Sequence, residues 1–275
     1  MIAARGIAKY ALLSLFAAVW VGIPIWLVVV NSLKTSGEAA ELTIALPETW
    51  NAVENYARVL VDGNYPRALL NSVVLVVPTM IAVLLLGAAA SWAFARGRSR
   101  VLQAGYYAIV LSILVPPSII PTITMLRELQ LDGTGWGYVL TMVATRMGIA
   151  VFLATGFVKA LPSDLEDAAA IDGANRLQVF AFVILPLLRS VLFVGAIILV
   201  INVWGDFFFA QFLLRGSDGA TLPLALFSFA NSSAQSLRWN LVFAHVVMTS
   251  LPLVVAYAFV QRRVMGGLTE GALKG

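Results

Sequence analysis

Hydrophobic positions in this chain do not alternate with polar ones, nor do they fall on one face of a helical wheel. They run on in long blocks separated by short polar stretches. A membrane-spanning helix needs about 20 mostly apolar residues, and six blocks meet that length: Ala11–Leu33, Ala68–Ala95, Val101–Leu126, Gly137–Val158, Ser190–Leu214 and Leu241–Gln261. The second and third carry no charge, Arg146 interrupts the fourth and Asp206 the fifth. The first block lacks the short core and small-residue cleavage site of a signal peptide, so it reads as a retained span. Prolines punctuate the blocks at Pro24, Pro78 and Pro252, and "PPSIIP" places three between Pro116 and Pro121. Each removes a helix hydrogen bond, so the third span should break near its middle. Broken backbone at membrane depth is tolerated only against protein or a wet cavity. That makes Pro117 a candidate for lining a pathway, although a kink chosen for packing would leave the same trace. The pattern predicts one all-α integral membrane domain over 1–275, with six transmembrane helices.

Composition supports the membrane reading. The chain is 60% hydrophobic and 12% charged, against about 25% charged in an average soluble domain, and its mean hydropathy is +0.91. It has no cysteine, which excludes disulfides and thiolate metal sites, and a single histidine, His245, which cannot build a metal cluster alone. The net charge of +4 is too small to indicate nucleic acid. The placement of charge says more than its sum. With the N-terminus inside, eleven basic residues fall on that side, including the "RGRSR" cluster from Arg96 to Arg100, and five on the other: Lys34, Arg58, Arg67, Arg215 and Arg238. The positive-inside rule then makes both termini cytoplasmic. On the outer side lie Lys34–Arg67 and Arg215–Asn240. "LPETWNAVENY" reads as a turn into a short interfacial helix anchored by Trp50 and Tyr56. Arg127 and Glu128, at the outer end of the third span, read as an ion pair.

One cytoplasmic stretch, residues 160–188, breaks the apolar monotony. "LPSDLEDAAAIDGA" opens with a proline and Ser163, a good N-cap; Asp164, Glu166 and Asp167 follow in the first turn, where carboxylates suit the helix dipole. Ala168, Ala169 and Ala170 favour helix and add little bulk, and Gly173 is suited to end it in the left-handed conformation. A second helix, "NRLQVFAFVIL", should place Leu177, Phe180 and Ile184 on one face, and Pro186 marks the return to the membrane. Small residues and exposed acids suit docking into a basic groove of a partner. An ordinary amphipathic hairpin at the interface fits equally well on these grounds.

The stretch resembles the EAA loop of ATP-binding-cassette importer permeases: Asp167-Ala168-Ala169, then Asp172-Gly173-Ala174, then Ile184-Leu185-Pro186. Asp167 stands where that family usually has Glu, with Glu166 beside it, and Ser190 replaces a proline often found after the Leu-Pro step. The likeness extends along nearly the whole chain and is to the maltose-type carbohydrate branch. "NSLKT" at Asn31–Thr35, Asn71-Ser72, "AASWAFAR" at Ala89–Arg96 with Trp92 where Tyr is usual, "WGDF" at Trp204–Phe207, "TLPLAL" at Thr221–Leu226 and the ending "QRRVMGGLTEGALKG" are similar to that branch in this order. The ending resembles that of its smaller, six-span subunit.

The resemblance implies a type I ABC importer fold with a cytoplasmic coupling helix, in the inner membrane of a bacterium. It implies no catalytic site and no cofactor on this chain, in keeping with the lack of a G-x-x-x-x-G-K-[ST] phosphate loop; ATP and Mg would sit on partner ATPases. The implied partners are a second, unlike permease, two ATP-binding-cassette subunits, an extracytoplasmic substrate-binding protein and membrane lipid, but no nucleic acid. Glu166, Asp167, Ala168, Ala169, Asp172, Gly173, Ala174, Leu185 and Pro186 would form the ATPase-coupling loop. Thr221, Leu222, Pro223, Asn231 and Ser232 would face the binding protein. Pro117, Arg146, Trp204 and Asp206 are candidates for the translocation pathway. An intramembrane charge is costly and faces protein or water, so Arg146 is expected either to pair with Asp206 or to meet substrate. An ion-coupled secondary transporter using Asp206 and Arg146 is the alternative, although the chain shows no internal repeat of the kind such folds carry. A membrane enzyme would need a cluster of His, Asp, Glu or Ser that is not found.

Overall fold

The computed structural model describes residues 10, 12–115, 117–216, 219–231 and 238–272, with side chains to 259. Among these, helices are joined by short turns, and the sole extended pairing is a bridge between Gly133 and Leu214. The chain divides into two compact units, 1–69 with 222–255 and 70–221 with 256–275.

The first unit holds α1 (Leu12–Ser32), α2 (Ser36–Ala40), α3 (Ala52–Val61), α12 (Leu222–Asn231) and the greater part of the apolar run of α13 (Trp239–Ala272). A knot of amides fastens them. Asn31 Nδ2 donates to the carbonyls of Leu27 and Thr43, and the buried Lys34 ammonium donates to Asn31 Oδ1, Thr43 O and Thr43 Oγ1 at 3.2, 2.9 and 2.8 Å. Its three protons are thereby satisfied. Asn55 of α3 donates to the carbonyls of Ser32 and Lys34 and accepts from Asn240 of α13. The "NSLKT" motif is thus a structural clasp. The expected interfacial helix is α3; Tyr56 hydrogen-bonds Ser32 at 2.9 Å, whereas Trp50 is exposed. His245 is fully buried beside the rings of Tyr65 and Phe229.

The second unit carries α4 (Tyr65–Arg96) from residue 70, α5 (Arg100–Leu111), α6 (Ile119–Glu128), α7 (Gly135–Ala160), α8 (Asp164–Ile171), α9 (Arg176–Leu187) and α10 (Arg189–Trp204), which meet at a 73° bend, and α11 (Phe208–Leu213). Helices pack in a membrane by close approach of small residues, because lipid removes the hydrophobic drive between them. Here Val83, Ala150 and Leu199 bring α4, α7 and α10 into one core. A Cβ on Gly87 would lie 3.0 Å from that of Ala150, and Ser91 donates across to the Val151 carbonyl at 3.1 Å.

Four of the described helices are long and apolar enough to cross a membrane, or five if the bent pair is one span. The third predicted span is instead two short helices, α5 and α6, parted at 112–118, where the prolines were expected to break it. The fifth stops at Trp204 rather than Leu214, because Gly205 ends α10 and Asp206 starts a new helix. Two π-helical segments, Ala18–Gly22 and Val179–Ile184, precede Pro24 and Pro186. A proline ring clashes with the carbonyl four residues back, which is Trp20 in one case and Phe182 in the other. Both lie inside the widened turn, which relieves the clash.

Candidate functional site

Residues 161–188 fold as a helix–turn–helix whose parts follow from local chemistry. The Ser163 carbonyl accepts from the amides of Glu166 and Asp167 to start α8, but its hydroxyl makes no cap, contrary to expectation. Gly173 closes α8 at φ +86°. α9 then opens on a capping box that the sequence reading missed. Asn175 Oδ1 accepts from the Gln178 amide, and Gln178 Oε1 accepts from the Asn175 amide. The N-x-x-Q spacing was the available signal. The π turn changes the buried face of the second helix. Val179, Ile184 and Leu188 are buried and Leu177 is 75% exposed, so Leu177 does not share a face with Ile184.

The nine residues expected to form one docking surface separate into two groups. Asp167, Ala168, Asp172, Gly173 and Pro186 are exposed. Ala169, Ala174 and Leu185 pack against the core formed by Ala88, Val158, Val179, Ile184 and Leu188. Glu166 is also turned inward: Oε2 accepts from Trp92 Nε1 at 2.9 Å and Oε1 from Arg96 Nε at 2.7 Å. The outward face of α8 therefore presents Asp164, Asp167 and Asp172 with Leu165 and Ile171, an acidic surface with apolar contacts.

The intramembrane charges do not form the expected direct ion pair, although Arg146 lies near enough for its charge to act on Asp206. Asp206 is buried and accepts from the Tyr138 hydroxyl at 3.0 Å and from the amides of Phe209 and Ala210 at 3.4 and 3.0 Å. It is the N-terminal anchor of α11. Arg146 forms no ion pair with it, and the Arg146 Nε is buried without a hydrogen-bond partner. Trp204 is buried beside this anchor in sequence, and Pro117 is exposed at the α5–α6 break. Arg127 pairs with Asp132 rather than with Glu128, at 3.1 Å, and Arg215 pairs with the same carboxylate. Of the residues expected to face a binding protein, Thr221 and Leu222 are buried and present no outer surface; Asn231 is exposed, Pro223 is half-buried and Ser232 lies outside the described residues. Among the described residues no group of His, Asp and Glu is arranged to hold a metal ion.

The profile of binding-protein-dependent transport system inner membrane components matches residues 70–265. The chain belongs to that family. Its members are the non-catalytic membrane subunits of ABC importers. The permease of the diacetylchitobiose uptake system of Streptomyces coelicolor is 31% identical over 97% of this chain and 88% of its own length. The melibiose/raffinose/stachyose import permease of Bacillus subtilis is 27% identical over 92% and 91%. A chain of a bacterial ABC transporter involved in the import of the acidic polysaccharide alginate superposes with a TM-score of 0.79 over 94% of this chain and 95% of its own, at 23% identity. The permease thus has the type I importer fold and is a multi-pass inner-membrane protein. These likenesses lend no support to the ion-coupled alternative.

Proposed function

We propose that this permease carries carbohydrate inward as one of two unlike membrane subunits, and that residues 160–188 dock it to an ATPase. The observation that carries the reading is the split loop: an inner face bonded to its own unit, and an outer face of Asp164, Asp167 and Asp172 that no other described residue engages at the outward side of α8. The relatives named for sugar uptake support the substrate class. In this reading six spans cross the membrane with both termini inside. ATP and Mg bind two cassette subunits, whose closure draws the loop with it, and a binding protein delivers the sugar outside. The loop moves only as far as its docking contacts differ between the ATPase states. Asn231, Pro223 and the neighbouring Ser232 then meet the binding protein. Pro117 and Arg146 flank the pathway, and Trp204 and Asp206 hold its wall.

The test is to purify the chain from its native membrane in mild detergent and identify what comes with it. An ATPase, a second permease and a binding protein are expected; recovery of the chain alone, under conditions that preserve known complexes, would overturn the reading. In the assembled complex, Asp167→Lys or Gly173→Pro should leave the chain inserted but abolish the stimulation of ATP hydrolysis by loaded binding protein. Unchanged stimulation would mean that the loop does not couple.

A further inference from the structure

The last cytoplasm-side turn of α4 is remote in sequence from the loop, yet it holds both halves of it. Trp92 and Arg96 lie one helical turn apart, on the same face. Arg96 Nε donates to Glu166 Oε1 at 2.7 Å, and its Nη2 donates to the Leu161 carbonyl at 2.9 Å. One side chain therefore grips both the entry to the loop and α8. Trp92 donates its indole proton to the other oxygen of the same carboxylate at 2.9 Å, while its ring stacks on Phe180 of α9, with centroids 5.9 Å apart and planes 26° apart. Glu166 thus spends each oxygen on a different donor. The ion pair is sheltered, the side chains of Arg96 and Glu166 being 27% and 16% exposed, so solvent screens it less than an open surface pair. Beneath it, Ala88 of α4 packs with Val158, Val179, Ile184 and Leu188.

We infer that Trp92, Arg96 and Glu166 form a clamp that makes the loop and α4 one rigid body, so that a pull on the loop is delivered to α4 as well as to α7 and α10, its neighbours in the chain. The three are positioning residues. The inference rests on the docking reading and adds to it: Glu166 belongs to the transmission inside the permease, while Asp167 belongs to the docking face. The "AASWAFAR" segment then has a function beyond spanning, since it ends in the two donors. Trp92 serves where Tyr is usual because its ring N–H reaches the carboxylate while its face covers Phe180.

The chain has no cysteine, so Ala93→Cys on α4 and Arg176→Cys on α9, both at exposed positions, accept spin labels selectively in the whole complex once the partners' cysteines have been replaced by serine. With the clamp intact, the 93–176 distance should be single and identical without nucleotide and with ATP-Mg bound. In Arg96→Ala the distribution should widen roughly twofold and shift on ATP binding, because a sheltered charge-assisted bond has been removed. Transport per ATP should fall roughly tenfold, within the ordinary range of coupling between sites, while the ATPase still co-purifies. Should Arg96→Ala fail to assemble, Glu166→Gln removes one bond and keeps the shape, and Trp92→Phe removes the other while keeping a ring against Phe180. A 93–176 distance that changes with ATP in the unaltered chain overturns the clamp, as does a distribution indifferent to all three substitutions. Stimulation that survives Asp167→Lys overturns the docking reading instead, whatever the distance does.

Discussion

At the scale of single residues, the membrane decides what each charge does. An aspartate in a span must find donors or a cation, and Asp206 finds three donors within its own unit: a hydroxyl and two amides at the start of α11. Replacing an N-terminal anchor by Ala costs about 0.5–2 kcal/mol, and here the Tyr138 hydroxyl would also be left buried without its acceptor. Asp206→Ala should therefore lower the thermal midpoint in detergent, Asp206→Asn should lower it less because the amide oxygen still accepts, and Tyr138→Phe should fall between wild type and Asp206→Ala. Arg146 makes no hydrogen bond through its buried Nε, and it acts on Asp206 and Tyr138 only through its charge. If it flanks the pathway, Arg146→Met should cost less stability than Asp206→Ala yet reduce sugar uptake in proteoliposomes; the opposite order would make Arg146 a structural cation. This division was not legible in the sequence. Asp206 and Tyr138 stand 68 positions apart, and two opposite charges in spans naturally read as a pair. Only the geometry shows that a phenol came first.

Elements are set by local chemistry where it is strong and by packing where it is not. The loop's two helices, the glycine turn at positive φ and the break in the third hydrophobic block all follow from side-chain type, and the structure places them where the residues predict. The π turns are different. A proline four residues beyond a carbonyl announces strain, but whether the helix kinks, breaks or widens depends on its neighbours, so Pro24 and Pro186 widen their helices while the run from Pro116 to Pro121 interrupts one. The inward turn of Glu166 was equally hidden, because three acids in a first turn look alike until α4 is laid against one of them. Close packing makes its own prediction. A Cβ at Gly148 of α7 would stand 2.8 Å from Ile113 Cγ1 and from Ser112 Oγ, and 2.9 Å from the Ile109 carbonyl, whereas at Gly156 nothing lies within 4 Å. Gly148→Leu should destabilise by about 1–3 kcal/mol, the usual cost of overpacking, and Gly156→Ala should be neutral. Melting of the two variants in the same detergent compares them directly; equal midpoints would mean that α5 yields to α7 without cost.

For the whole molecule, function depends on which side of the membrane each surface faces, and that is set by charge rather than by packing. In the proposed reading the loop meets an ATPase and the opposite side a binding protein, so a chain inserted the other way would be inert whatever its fold. Eleven basic residues against five, or six with Arg127, fix the expected direction, and the "RGRSR" cluster is the strongest single anchor because it lies in a short connection next to two spans. The absence of cysteine turns this into a direct measurement. Val53, on α3, is 87% exposed, and Arg98, between α4 and α5, is exposed too. In intact protoplasts or spheroplasts, a membrane-impermeant thiol reagent should label Val53→Cys at once and Arg98→Cys only after the cytoplasmic membrane is opened. Removing the cluster's other charges, Arg96 excepted because it belongs to the clamp, should weaken that asymmetry. Labelling of Arg98→Cys from outside in the otherwise unaltered chain would place the acidic face of α8 away from ATP, and no arrangement of the loop could then couple transport to hydrolysis.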